Sequence, residues 1–122
     1  MEIAYLAAPY NHSDPVIKKK RVDFTTAVAS YLFNKGIFVF SPLTHNVPLI
    51  EAGTITGWDM WGKYDLEMLS RCNKLIVLRI PGWMESLGVK AEIEHATKLG
   101  LPIEEIDPPA ECLLEIPGSL TA

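Results

Sequence analysis

The stretch KLIVLRIPGWMESLGVKAEIEHATKLGLPIEEI, residues 74–106, contains one complete strand–helix–strand unit. Residues 74–80 form a largely apolar run, which is typical of a strand that is covered on both faces. Residues 87–99 carry apolar side chains at helical spacing and end at Gly100, a residue type that readily adopts the left-handed conformation of a helix end. Residues 101–106 then predict a second strand. Two strands joined by a helix predict a right-handed, parallel βαβ unit.

The same alternation of strands and helices extends towards the N-terminus. Asp14 and Pro15 supply an N-cap and a first-turn proline, and the helix that they begin is expected to end at Gly36. Residues 41–56 include Pro48 and show no clear period, which predicts a long loop that is functional or mobile. The other predicted elements are strands at residues 2–8 and 37–40 and a helix at about residues 58–71.

This order of elements predicts the fold class α/β, as a three-layer flavodoxin-like or Rossmann-like domain with a parallel sheet of four or five strands. With 122 residues and 48% hydrophobic content, the chain has the size of a single domain, residues 1–122, with a continuous core. Open parallel sheets bind their ligands at the carboxyl ends of the strands. We therefore expect the functional residues in the loops at that edge.

Composition and charge narrow the range of functions. A net charge of -4 argues against binding to a nucleic-acid polymer, and the basic run at residues 18–21 is expected to be a solvated helix face rather than a phosphate site. No apolar run approaches the ~20 residues of a membrane span, and the first residues contain no basic leader. The chain has only two cysteines, Cys72 and Cys112, which favours a reduced protein over a disulfide scaffold. We therefore expect a soluble, cytoplasmic protein.

Two acidic residues lie on the apolar faces of predicted helices. At about 100° per residue, Glu92 falls inside the apolar arc of the third helix, and Asp65 falls in the middle of the arc of the second. A buried carboxylate is costly unless it is paired, hydrogen-bonded or protonated. The two acids therefore indicate either a ligand site or structural partners such as Tyr5, His45, Arg79 or His95. The arcs are defined by Val89, Ile93, Ala96 and Leu99 and by Trp58, Trp61, Leu69 and Cys72.

The residues before Glu92 add polar groups to this region. Ser86 and Gly88 stand at the start of the third helix, where a hydroxyl and free backbone N–H groups would lie about one turn from the carboxylate. Ser86 is equally suited to be the N-cap of the helix. Two carboxylates in one pocket can divide roles, because one stays ionised as a nucleophile while the other has a raised pKa and carries a proton. This division is the chemistry of retaining glycosyl transfer.

Four stretches of the chain resemble the nucleoside 2-deoxyribosyltransferase superfamily. They are YLAAPY (residues 5–10), VFSPLTHN (39–46), the pattern D-x-x-x-L-x-x-C (65–72) and SLGVKAEIEHA (86–96). This superfamily includes the deoxynucleoside monophosphate N-glycosidases and a branch with the signature GW-x-x-S-x-G-V-x-x-E. The resemblance spans about residues 3–103.

The resemblance implies a role for several residues. Glu92 would be the nucleophile that forms a covalent 2-deoxyribosyl intermediate, and Asp65 would bind and help protonate the base or orient the sugar. Tyr5 would hold the nucleophile, and Ser86 would contact the 5′ side of the sugar. Such enzymes act on a small-molecule nucleoside or nucleotide without a metal or organic cofactor. Their sites are commonly completed by a neighbouring subunit, which implies a homodimer or homotetramer.

Other candidate residues lie near the same edge of the sheet. His45 follows the second strand and could either reach a ligand or satisfy backbone carbonyls. Among the tryptophans, Trp83 beside Gly82 is the favoured partner for stacking on a nucleobase, whereas Trp58 and Trp61 are favoured as core residues. The histidines lack zinc-like spacing, so no metal site is expected.

The sequence therefore favours an enzyme that cleaves or transfers the N-glycosidic bond of a deoxynucleoside or related N-riboside, either a deoxyribosyltransferase or an N-glycoside hydrolase. The alternative is a non-catalytic domain that binds a nucleotide or nucleoside. Residues 10–13 do not reproduce the glycine-rich, arginine-bearing loop of the nucleotide-specific branch, so recognition of a 5′-phosphate stays open.

Overall fold

A computed structural model of the protein describes residues 1–113, so the last part of the predicted domain, residues 114–122, lies outside the described residues. The described residues form four strands and five helices. In chain order these are β1 (Ile3–Ala7), α1 (Pro15–Asn34), β2 (Phe38–Phe40), α2 (Pro42–Glu51), α3 (Trp58–Ser70), β3 (Lys74–Leu78), α4 (Leu87–Leu99), β4 (Ile103–Ile106) and α5 (Ala110–Leu113).

The strands form one parallel sheet in the order β2-β1-β3-β4. After β1 the chain adds a strand on one side, and it then crosses to add β3 on the other, so β1 and β3 flank a topological switch point. At such a point the loops leave in opposite directions and open a crevice at the carboxyl ends of the strands. The predicted α/β class with a parallel sheet is confirmed, with four strands.

Side chains of the central strands alternate between two apolar layers. On β1, Leu6 faces a cluster that contains Phe24 of α1, whereas Tyr5 faces a cluster that contains Leu69 of α3 and Val89 of α4. Strand geometry sends successive side chains to opposite faces, so helices on both sides are needed to cover them. The sheet is thus the middle layer of three, and α3 and α4 share the layer that faces Tyr5.

The helix ends follow the capping residues of the sequence. The Asp14 carboxylate accepts a hydrogen bond from the Val16 backbone N–H at 2.9 Å, and the Ser86 hydroxyl accepts one from the Val89 backbone N–H at 3.1 Å. Gly100 ends α4 with a φ of 72°, in the left-handed region that favours glycine. The predicted bounds of α1 and α4 are therefore correct to within a residue or two.

The predicted loop at residues 41–56 is wrong over most of its length. Pro42–Glu51 forms α2, which begins with Ser41 and with proline in the first turn. Pro48 lies inside this helix, where its missing N–H leaves one carbonyl of the preceding turn without a donor. Pro48 is exposed, so the break in the hydrogen-bond pattern lies on the solvent side of the helix.

Two features of the predicted helix faces also need correction. Leu99, placed on the apolar arc of α4, is 47% exposed because it is the last residue of the helix and lies beyond the sheet, and Trp58, at the first position of α3, is 51% exposed. The basic run is not a uniformly solvated face, because Arg21 is only 7% exposed. Its guanidinium donates to the carbonyls of Asn11 at 2.7 Å and Pro81 at 3.2 Å.

None of the helices within residues 1–113 is both long and apolar enough to cross a membrane.

Candidate active site

A cavity of about 1280 Å³ opens at the carboxyl ends of β1, β2 and β3. Ala8, Pro42 and Pro81 follow these three strands and lie in its wall, and residues of α2, α3 and α4 complete it. Asp65 and Glu92 both line this cavity. The structure therefore brings together the two inward acids at the edge of the sheet where the fold favours ligand binding.

Glu92 is buried in the second turn of α4, with 5% of its surface exposed. The Tyr5 hydroxyl on β1 donates a short hydrogen bond to Glu92 Oε2. The pKa of the Glu92 carboxyl is raised to about 8: burial raises it most, the Tyr5 hydrogen bond lowers it, and the negative charge of Asp65 raises it. Glu92 thus has a structural partner and at the same time faces the cavity.

Asp65 is half-buried on α3, and its Oδ1 accepts a hydrogen bond from Asn46 Nδ2 at 2.8 Å. Burial raises the pKa of the Asp65 carboxyl, whereas the Asn46 hydrogen bond and the nearby His45 lower it. The two acids also influence a third group, because burial and then the charges of Glu92 and Asp65 raise the pKa of the Tyr5 phenol. Tyr5, Asp65 and Glu92 therefore form one electrostatically coupled set.

Ser86 and Gly88 lie in the wall of the cavity at the start of α4. The Ser86 hydroxyl already accepts from the helix backbone as an N-cap, and as a hydroxyl it keeps a hydrogen to donate to a ligand. At Gly88, a Cβ would come within 3.6 Å of the Trp58 ring, so the indole packs directly against the first turn of α4. Both residues stay predicted ligand contacts, and both line the cavity that contains Asp65 and Glu92.

His45 and Trp83 occupy positions that differ from those expected. His45 is not among the described residues that line the cavity; its ring stacks on Tyr64 with centroids 5.7 Å apart. Trp83 packs against the buried cluster around Tyr5, because the chain turns at Gly82, with a φ of 96°, and the Trp83 backbone N–H bonds back to Ile80. Trp83 is partly buried and is not among the described residues that line the cavity, whereas Trp58 and Trp61 line it.

Sequence reasoning missed two residues of the cavity wall, Asn46 and Arg21. Asn46 lay in a segment taken as a loop, where no helical face could be assigned to it. Arg21 lies in a run of basic residues, and the sequence does not distinguish this buried residue from its more exposed neighbours. A signal was present for Asn46, because it directly follows the first histidine after the second strand in the motif SPLTHN.

No group of three or more His, Cys, Asp or Glu residues within residues 1–113 is placed to hold a metal ion. The chemistry available in the described site is that of two carboxyl groups, a phenol, an amide and a hydroxyl. Burial raises the pKa values of both carboxyl groups and of the phenol.

These features define a parallel α/β domain with a carboxylate-lined cavity at its topological switch point. The model of DUF1937, described as a domain of unknown function, matches residues 2–107, and the chain belongs to this family. No curated protein matches the chain. Among solved structures, it is similar to a 2-deoxyribosyltransferase from the psychrotolerant bacterium Bacillus psychrosaccharolyticus, with a TM-score of 0.62 and 23% identity over 88% of this chain and 74% of that chain. This likeness shows a shared fold.

Proposed function

We propose that this protein cleaves or transfers the N-glycosidic bond of a deoxynucleoside or a related N-riboside, with Glu92 as the nucleophile and Asp65 as the proton donor. One observation carries the proposal: two inward carboxyl groups on successive helices line a single cavity, and one of them is held by a buried tyrosine. The fold shared with a 2-deoxyribosyltransferase and the resemblance of the sequence motifs support the same chemistry.

In the first step, a Glu92 carboxylate oxygen attacks the anomeric carbon of the sugar. The bond between this carbon and the base nitrogen breaks, and its electron pair leaves with the base, which takes a proton from Asp65. In the second step, water or another base attacks the same carbon and gives its proton to the Asp65 carboxylate, and Glu92 leaves as a carboxylate. Each step forms one bond at the anomeric carbon as it breaks another, as in retaining glycoside hydrolysis.

The environment of each acid suits its proposed role. Glu92 Oε2 accepts from Tyr5, which stabilises the carboxylate and leaves Oε1 for the sugar. Burial raises the pKa of Asp65, which favours its protonated form relative to an exposed aspartate. A carboxylate in a low-dielectric cavity also stabilises the positive charge that develops on the sugar.

The rest of the cavity is proposed to hold the sugar and the base. Ser86 and the backbone N–H groups at the start of α4 are placed to contact sugar hydroxyls. The segment at residues 52–60 is exposed along its whole length and includes Ile55 and Trp58 beside the cavity. We propose that a second copy of the chain covers this segment, in a homodimer or homotetramer, and that the reaction needs no cofactor.

A non-catalytic nucleoside-binding domain is the second candidate, and one observation favours it. With a pKa of about 8, Glu92 is mostly protonated at neutral pH, and a protonated carboxyl is a poor nucleophile. In that case the cavity would bind a nucleoside and release it unchanged.

Incubation with a panel of deoxynucleosides, with and without acceptor bases, separates the two candidates when free base and new nucleoside are resolved by chromatography. Glu92→Gln should lower the rate by several orders of magnitude and leave the fold intact. Glu94→Gln is the matched control, because Glu94 lies on the outer face of the same helix, paired with Lys98 at 3.2 Å. Absence of turnover, or equal rates for Glu92→Gln and wild type, would overturn the enzymatic proposal. Saturable binding without product would favour the binding domain.

A further inference from the structure

Asn46 connects helix α2 to the acid on helix α3. Its side chain is buried, its Nδ2 donates to Asp65 Oδ1 at 2.8 Å, and its Oδ1 lies 2.8 Å from Nδ1 of His45. These two contacts use both ends of the amide. Residue 46 therefore links Asp65, which lines the cavity, to a histidine that does not.

The chemistry of the three groups fixes the direction of this chain. Asp65 Oδ1 accepts the hydrogen bond whether the carboxyl group is ionised or carries its proton on the other oxygen, so the amide NH₂ of Asn46 faces Asp65. The amide carbonyl then faces His45, and because a carbonyl only accepts, His45 Nδ1 must carry the hydrogen. One orientation of the amide satisfies all three groups, and the opposite orientation would set the carbonyl against the carboxylate.

His45 is itself held by aromatic contacts on two sides. Its ring stacks on Tyr64 at 5.7 Å with an interplanar angle of 20°, and it lies 5.8 Å from Phe40 in a tilted arrangement. Tyr64 directly precedes Asp65 on α3. Helices α2 and α3 are therefore joined by two neighbouring pairs, and the imidazole has a fixed position from which to donate to Asn46.

We infer that Asn46 is a positioning residue for Asp65: backed by His45, it fixes one carboxylate oxygen and leaves the other free to meet the ligand in the cavity. This inference rests on the proposed function, in which Asp65 delivers a proton to the departing base. A carboxyl group that is free to rotate would present its proton in the required direction only part of the time, and small misplacements of reacting groups are costly.

The groups around Asp65 determine the direction in which its pKa should change when Asn46 or His45 is replaced. Glu92 on α4 and Tyr5 on β1 are coupled to it, and His45 on α2 is the nearby basic group. The Asn46 hydrogen bond and His45 both lower the pKa of Asp65 against the effect of burial. Loss of either group should therefore raise the pKa of Asp65.

The test is a titration of the aspartate carboxyl groups by ¹³C NMR in Asn46→Leu and His45→Phe. The chain contains five aspartates, so Asp65→Asn assigns the relevant resonance by its disappearance. His45→Phe keeps a ring between Tyr64 and Phe40 but removes the N–H that orients the amide. The matched control is His95→Phe, because His95 pairs with Ser70 at 2.9 Å on the outer side of α3 and α4.

We expect the titration of Asp65 to move to higher pH in Asn46→Leu and His45→Phe and to stay unchanged in His95→Phe. An unchanged titration in a folded Asn46→Leu variant would overturn the inference. If Asn46→Leu does not fold, as judged by circular dichroism, His45→Phe decides the question alone, and an unchanged titration there has the same consequence.

A second measurement separates positioning from the proposed reaction. If deoxynucleosides are turned over, kcat/KM should fall by about 10- to 100-fold in both variants, with an alkaline shift of the pH profile that His95→Phe does not show. Equal profiles for all variants would overturn the positioning role. If the wild type turns over no nucleoside, the proposed function fails, and the NMR titration still decides whether Asn46 controls Asp65.

Discussion

The Tyr5 hydroxyl, on a central strand of the sheet, donates a hydrogen bond to Glu92 Oε2, on a helix 87 residues further along the chain. Tyr5 is fully buried, and its ring is fixed by the apolar layer between the sheet and helices α3 and α4. Glu92 is thus joined to the rigid centre of the fold rather than to a loop. Sites on rigid elements hold their reacting groups more accurately than sites on loops do.

Tyr5→Phe should raise the pKa of Glu92 further, because the hydrogen bond that stabilises the carboxylate is lost. If Glu92 is the nucleophile, the pH profile of the reaction should move to higher pH. Leaving a buried carboxyl without its donor should also cost about 1–3 kcal/mol in the free energy of unfolding, measured with a chemical denaturant. Tyr31→Phe, on α1 against the opposite layer, is the control. Equal profiles for the two variants would contradict the assigned role of the hydrogen bond.

The stability of the wild type should depend on pH through Glu92. Its folded-state pKa is about 8, above the ordinary value of 4.5, so the native state retains a proton that the unfolded state releases. The associated stability is present below about pH 4.5 and is lost as the pH rises through about 8. Glu92→Gln lacks this dependence. The melting temperature of the variant should therefore rise relative to that of the wild type between pH 5 and pH 9, by roughly 5 °C or more. A constant difference across this range would mean that Glu92 is not buried in its neutral form.

Gly82→Ala should be markedly destabilising, because two effects combine at this position. Gly82 has a φ of 96°, and a Cβ there would lie 2.3 Å from Nη2 of Arg21, the buried guanidinium that ties the loop after β1 to the loop after β3. Gly53 has a φ of 112° but faces open space, so Gly53→Ala shows only the backbone penalty of about 1–2 kcal/mol. In denaturant unfolding, the free energy of unfolding of Gly82→Ala should be clearly lower than that of Gly53→Ala. Similar losses would show that the guanidinium moves aside freely.

Gly62→Ala should displace the Trp58 ring that lines the cavity. A Cβ at Gly62 would lie 2.5 Å from the indole, whereas one at Gly88 would lie at an ordinary contact distance of 3.6 Å. Both substitutions place alanine in a helix, so they share the same gain in helix propensity of about 1 kcal/mol. The tryptophan emission spectrum should change in Gly62→Ala and stay close to that of the wild type in Gly88→Ala, with Trp58→Phe identifying the contribution of this ring. Identical spectra would mean that Trp58 is not packed between the two glycines.

The sequence predicts the framework of this protein better than the details of its cavity. Helices α1 and α4 were predictable because Asp14, Ser86 and Gly100 are local signals that act through the backbone of the same helix. The inward direction of Glu92 was predictable because helical periodicity places it among apolar residues. Its partner Tyr5 was named in advance as one alternative, and the contact itself depends on the pairing of distant segments.

The missed features are those that local patterns do not encode. Pro48 looks like a helix breaker in the sequence, but an exposed proline in a short helix is tolerated when water satisfies the affected carbonyl. Asn46 and Arg21 acquire their roles only through residues far away in the chain, Asp65 and Pro81. Trp83 was expected to face a ligand, but the direction of the chain after Gly82 turns it towards the core.

The alternation of side chains along β1 has a consequence for how the candidate site forms. Tyr5 stands between Ala4 and Leu6, which belong to the opposite layer, so a slip of one residue in the pairing of β1 would send the phenol to the wrong face. Glu92 would then be enclosed by hydrocarbon without a donor. The contact between Tyr5 and Glu92 therefore forms only when the central strand pairs in its native register, so completion of the candidate site depends on the correct assembly of the sheet.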